Sequence, residues 1–113
     1  MKLSDTEENL QSMVDLSKAN KMAVVLCSVT PSAEFWRHKG LEPSTKIQTL
    51  NSWLKNFAME NHYPYVDYYS GLVDANGALN ASYSADGVHP NGKGYQVMAP
   101  LAQKGIDEAL KLR

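Results

Sequence analysis

Along this chain the spacing of apolar positions changes several times, and each change marks an element. Over the first twenty residues the apolar positions Leu3, Leu10, Met13 and Val14 follow helical steps. Ser4 with Glu7 three residues on has the spacing of a capping box, so the pattern predicts a helix opening at Ser4. Asn20 and Lys21 are its expected end. Met22 to Val29, MAVVLCSV, is continuous rather than alternating, which predicts a strand buried on both faces, stopped by Pro31. Thr30 to Pro43 reads as a long loop. Helical spacing returns from about Ser44 to Asn61, where Ile47, Leu50, Leu54, Phe57 and Ala58 make one stripe with Trp53 beside it. Tyr63 to Tyr69, YPYVDYY, predicts a second strand, with Pro64 where a missing N–H does least harm. Asp74-Ala-Asn-Gly77 is a turn signal. The last helix is expected from near Asn91 to about Leu112, with a kink or restart at Pro100.

The order is therefore α, β, α, β, α, which argues for an α/β fold with parallel strands joined by crossover helices. Two parallel strands alone leave two raw edges, and parallel sheets are normally larger and covered on both faces. The sheet looks incomplete. Unpaired N–H and C=O groups on an apolar strand are costly and adhesive, so Met22 to Val29 is expected to pair with a second copy, giving a homodimer.

Composition narrows the function classes. The 113 residues suit one domain, and 43% hydrophobic with 20% charged residues supports a packed core. The net charge of −1 comes without a basic stripe, which argues against a nucleic-acid partner. No apolar run approaches the roughly 20 residues of a membrane span. The N-terminal segment has no apolar h-region, and a signal peptide preceding Met1 would leave the compartment open. Cys27 is the one cysteine, so neither a disulfide framework nor a cysteine metal site follows. Its place in an apolar run predicts a buried packing role.

The chemistry concentrates in YSADGVHPNGKGY, Tyr83 to Tyr95. Neutral imidazole takes a proton from a hydroxyl or a water near pH 7, and works best when a carboxylate fixes its tautomer. Asp86 and His89, three apart on a turn, can bring the carboxylate to one ring nitrogen. Gly87 permits the tight turn, and Pro90 restrains His89 to extended backbone. The plainer alternative is a structural turn in which Asp86 satisfies local N–H groups. His38 and His62 stand apart, and nothing has the spacing of a metal-ligand series. Ser28, Ser70 and Ser84 are the local candidates for a nucleophile, but none sits in a strand-to-helix elbow. Trp36 and Arg37, in EFWRHKG, follow the first strand where open α/β sheets often bind ligands, and are candidate cleft residues.

The segment DGVHPNGKGYQVMAPLA, Asp86 to Ala102, resembles the C-terminal catalytic block of the SGNH (GDSL-type) esterases and acylhydrolases. VVLCSVTPS resembles that family's strand running into a proline-containing loop, and KIQTLNSWLKNFAMENHYPYVDYYSGLVD its next helix and strand. The resemblance runs from about Lys21 to Leu101. It implies a three-layer α/β/α fold around a flavodoxin-like parallel sheet of about five strands. It also implies ester hydrolysis through a serine acyl-enzyme, with His89 as general base, Asp86 as its orienting partner, a small acyl or acetyl ester as substrate, and no metal or organic cofactor.

The family's Gly-Asp-Ser block and the glycine and Gly-x-Asn-Asp segment that supply oxyanion donors have no counterpart in this sequence. The expectation is a single partial domain over residues 1–113, with two strands and three helices, corresponding to the family's C-terminal half. Nucleophile and oxyanion hole would then lie outside the chain. The alternative is a catalytically inactive module that acts through self-association. A receiver-type module fits less well, because a phosphate-cradling loop is missing.

Overall fold

The computed structural model describes residues 2–33 and 43–112. Its elements run α1 (Leu3–Ala19), β1 (Leu26–Cys27), α2 (Pro43–Glu60), β2 (Tyr65–Val66), α3 (Tyr68–Leu72) and α4 (Gly92–Leu112). The two strands are parallel, with Leu26 opposite Tyr65 and Cys27 opposite Val66. Parallel pairing requires a crossover, and α2 provides it.

Three layers result. Successive residues of a strand point to opposite faces. Leu26 therefore faces one side, where it joins Val14 of α1 and Leu54, Phe57 and Ala58 of α2 in the core. Trp53 stacks on Phe57 at the margin of that core, with ring centroids 5.0 Å apart. Val66 faces the other side and meets α4 at Gly105. A Cβ at Gly105 would collide with Val66 Cγ2 and lie 3.2 Å from Val25 Cγ1. The missing side chain is what lets α4 lie against the strands.

Several expectations change. The first strand pairs over two residues rather than eight, and only one of its faces is covered throughout. Cys27 is exposed, not a buried packing residue. The reason is lateral: α4 packs on β2 and leaves the same face of β1 partly open. The second strand also stops early. Asp67 caps a short helix instead, accepting the Ser70 N–H at 3.0 Å on Oδ1 and the Ser70 hydroxyl at 2.6 Å on Oδ2. Tyr68 and Tyr69 thus open α3 rather than extending β2, because a satisfied helix N-terminus outweighs aromatic strand preference. The added element makes four helices among the described residues.

At the start of α1 the reciprocal bond falls two residues earlier than the Ser4–Glu7 spacing predicts. The Lys2 N–H donates to Asp5 Oδ2 at 3.3 Å. Met13 and Leu16 of this helix are largely exposed. Pro100 neither ends nor restarts α4, which runs unbroken to Leu112. Pro100 and Gln96, whose carbonyl loses its partner, are both exposed, so water can serve that carbonyl. The turn at Asp74 forms as expected. Asp74 Oδ1 accepts the N–H groups of Asn76 and Ala78 at 2.8 and 3.0 Å, and Gly77 takes a φ of +79°.

Candidate active site

The loop before α4 is closed at its base by Asn91. Its backbone N–H donates to the Tyr83 carbonyl at 2.7 Å, and its side-chain amide donates to the Ser82 carbonyl at 3.2 Å. The same side chain caps α4, with Oδ1 accepting the Gly94 N–H at 3.0 Å. Gly94 is required there, since a Cβ would lie 2.9 Å from the Tyr83 carbonyl oxygen. The loop is thus anchored to the longest helix of the fold.

Within it, Asp86 and His89 meet. Asp86 Oδ2 lies 2.7 Å from His89 Nδ1. Asp86 Oδ1 accepts the backbone N–H groups of Val88 and His89, both at 2.8 Å. The carboxylate is fixed on one oxygen by backbone and presents the other to the ring. Gly87 makes the turn at φ +77°. The bond to the imidazole, and then the N–H groups of His89 and Val88, hold the Asp86 carboxyl well below the usual carboxylate range. An ionised carboxylate only accepts, so Nδ1 carries the ring proton of the neutral imidazole and Nε2 keeps its lone pair. That nitrogen belongs to a side chain 78% exposed.

The geometry therefore offers a base, oriented and open to a reactant. Ser84 Oγ does not reach the ring in this arrangement. It donates to the His89 carbonyl oxygen at 2.8 Å, with Asp86 Oδ1 at 3.2 Å. Ser28 Oγ, deep in the fold, accepts the Tyr69 N–H at 3.0 Å, and Ser70 is taken up in the α3 cap. Trp36, Arg37 and His38 lie outside the described residues. Among the described residues no group of three or more histidine, cysteine or acidic side chains is placed to hold a metal ion. No helix among them is long and apolar enough to cross a membrane.

The sequence profile of the GDSL-like lipase/acylhydrolase family matches residues 2–97. The chain belongs to this family. Two solved structures of GDSL-type proteins align closely. A candidate acylhydrolase from Bacteroides fragilis NCTC 9343 is 42% identical with a TM-score of 0.93, over 96% of this chain and 53% of that one. A GDSL-like lipase from Bacteroides thetaiotaomicron VPI-5482 is 42% identical with a TM-score of 0.90, over 96% and 54%. A lipolytic-type protein of the G-D-S-L family from Desulfitobacterium hafniense DCB-2, 20% identical with a TM-score of 0.74 over 92% of this chain and 55% of that one, shares the fold. No curated protein sequence matches. The chain thus spans about half the length of the GDSL-type structures it resembles.

Two residues of this GDSL-like chain do structural work that the apolar pattern hides. Asn51 sits on the buried stripe of α2 and pairs with the backbone of Val29, accepting its N–H at 2.7 Å and donating to its carbonyl at 3.0 Å. It pins the chain just beyond β1. Its signal in the sequence is a lone amide in an apolar stripe, four residues after Ile47 and three before Leu54. Ser84 is the other. Its position two residues before Asp86 is a local hydroxyl–backbone motif rather than a nucleophile's context.

Proposed function

We propose that this chain carries the acid–base half of a serine ester hydrolase, with His89 as general base and Asp86 as the residue that orients it. The observation that carries the reading is the 2.7 Å contact between Asp86 Oδ2 and His89 Nδ1 in a chain of the GDSL-like family. Residues 1–113 are then one part of a hydrolase domain, and the serine nucleophile and oxyanion donors are supplied by polypeptide outside them. Trp36 and Arg37 are the proposed contacts to a small acyl or acetyl ester.

The chemistry follows from the free Nε2. It takes the proton of a serine hydroxyl as that oxygen bonds to the ester carbonyl carbon. The imidazolium so formed is stabilised by ionised Asp86. The tetrahedral oxyanion collapses, the bond to the alcohol oxygen breaks, and Nε2–H returns the proton to that oxygen. Water then repeats the sequence on the acyl-enzyme, releasing the acid and restoring the serine. Only protein groups are needed.

Fluorophosphonate labelling tests this, read by intact mass and peptide mapping. The folded chain alone is expected to take up no adduct. Adding a polypeptide that bears a family member's Gly-Asp-Ser block is expected to place the adduct on that block's serine, with loss in His89→Ala. A stoichiometric adduct on a serine of this chain, itself lost in His89→Ala, overturns the half-site reading.

A second reading is favoured by the outer edge of β1. The N–H groups of Leu26 and Ser28 donate toward β2, to the carbonyls of Pro64 and Val66. Parallel ladder geometry turns the polar groups of Cys27 to the opposite edge. A groove of about 470 Å³ runs there, lined by Leu10, Met13, Val25, Cys27 and Val29 among others. In this reading a second copy of the chain pairs along that edge and the protein acts as a self-associating module.

A further inference from the structure

We propose that Ser84 is the positioning residue of the Asp86–His89 pair, an inference that rests on reading the pair as acid and base. Ser84 is only 6% exposed in a loop whose neighbours Ala85, Asp86 and His89 are exposed. Its Oγ is the inner hub of the turn. It accepts the Gly87 N–H at 2.9 Å and donates to the His89 carbonyl at 2.8 Å. It also lies 3.2 Å from Asp86 Oδ1, the oxygen already held by two backbone N–H groups. One hydroxyl thus ties together the backbone before Val88, the backbone after it and the carboxylate that faces the ring.

The need for such a hub follows from Gly87. Apart from its chain neighbours, no atom lies within 4 Å of where its Cβ would stand, so nothing packs on that side of the turn. Packing does not hold its positive φ, and glycine leaves the unfolded backbone more freedom than any other residue. Hydrogen bonds must fix it instead. Asn91 closes the loop at its base, but its bonds go to Ser82, Tyr83, Gly94 and Tyr95, none of them within the turn. Between that base and the carboxylate, Ser84 is the side chain that bonds across the turn. Without it the carbonyl of His89 loses a donor, and the ring's place against Oδ2 rests on the bonds of Asp86 alone, to Val88, to the His89 N–H and to the ring itself.

The ring nitrogens report this directly. Long-range proton–nitrogen spectra of the histidines, with His89 assigned through His89→Gln, give the share of each neutral tautomer. The wild-type chain is expected to hold His89 mainly as the Nδ1–H form. In Ser84→Ala the ratio of that form to its alternative is expected to fall about fivefold, the factor carried by one ordinary hydrogen bond. Ser84→Thr, which keeps the hydroxyl, is expected to retain it. A folded Ser84→Ala with the wild-type tautomer ratio overturns the proposal, even if its melting temperature drops, because a merely structural serine would do no more than that. A measurement without variants guards against failure to fold: the wild-type Ser84 hydroxyl proton is expected to exchange slowly with water. Exchange as fast as that of a free serine sinks the proposal. If wild-type His89 shows no preference for Nδ1–H, the acid–base reading itself falls and takes this one with it. If the preference is there and Ser84→Ala keeps it, only the role of Ser84 fails.

Discussion

At the scale of single residues, the decisive fact is that Asp86 is bonded on both oxygens by groups within three positions of it. Oδ1 takes backbone N–H groups and Oδ2 takes the imidazole. All of these donors favour the ionised form, so the carboxyl titrates below its ordinary value near 3.9. The sign of the pH effect follows. A depressed folded-state pKa gives stabilisation that is present above the unfolded value and is lost only as pH falls through the folded one. The loop is therefore expected to keep Asp86 ionised at pH 3, where an ordinary aspartate is mostly protonated. Carboxyl carbon shifts across an acid titration check this, and a midpoint near 3.9 would remove the hydrogen bonds from the account. The pair was legible in the sequence because it is local. Asp86, Gly87, His89 and Pro90 spell out a turn with a carboxylate at one end and an imidazole at the other. The role of Ser84 was not legible in the same way, because a buried hydroxyl in an exposed loop looks like any other serine until its burial is known.

At the scale of elements, the close approach of α4 to the strands depends on Gly105. A methyl group there meets Val66 and Val25, both of them part of the opposing strands' surface. Gly105→Ala is expected to destabilise the fold by about 1–3 kcal/mol, the usual cost of overpacking, despite the better helix propensity of alanine. Urea unfolding of the two proteins measures the difference. Equal or higher stability of the variant would mean that α4 stands further from β2. The three long helices were readable because periodicity is carried by neighbours along the chain, whereas the five-residue α3 is too short to show a period. The observed bounds of α2, Pro43–Glu60, differ from the expected ones by about one residue at each end. The second strand was overestimated for a local reason: the Asp67–Ser70 cap was present in the sequence and outcompetes the aromatic run around it.

At the scale of the whole molecule, the covered and uncovered parts of the sheet explain the remaining differences. β1 has α1 and α2 on one face, β2 on one edge and an open groove beside the other edge. Met13 and Val29, both exposed, line that groove. If a second copy occupies it, light scattering should show a mass that rises from monomer to dimer with concentration. Val29→Lys, which places a charge beside the open edge, should then hold the chain monomeric. A monomer at every concentration would discard self-association and leave the edge to the rest of a hydrolase domain. The sequence by itself determined the α/β order, the helical stripes and the turn that joins Asp86 to His89, because each depends on residues close together in the chain. Tertiary structure decided how far each strand pairs, that Cys27 faces solvent, that Asn51 pins the end of β1 and that Ser84 is enclosed. A ladder ends where its partner ends, and burial is set by whatever packs on a surface; neither partner nor cover is written in the strand's own residues.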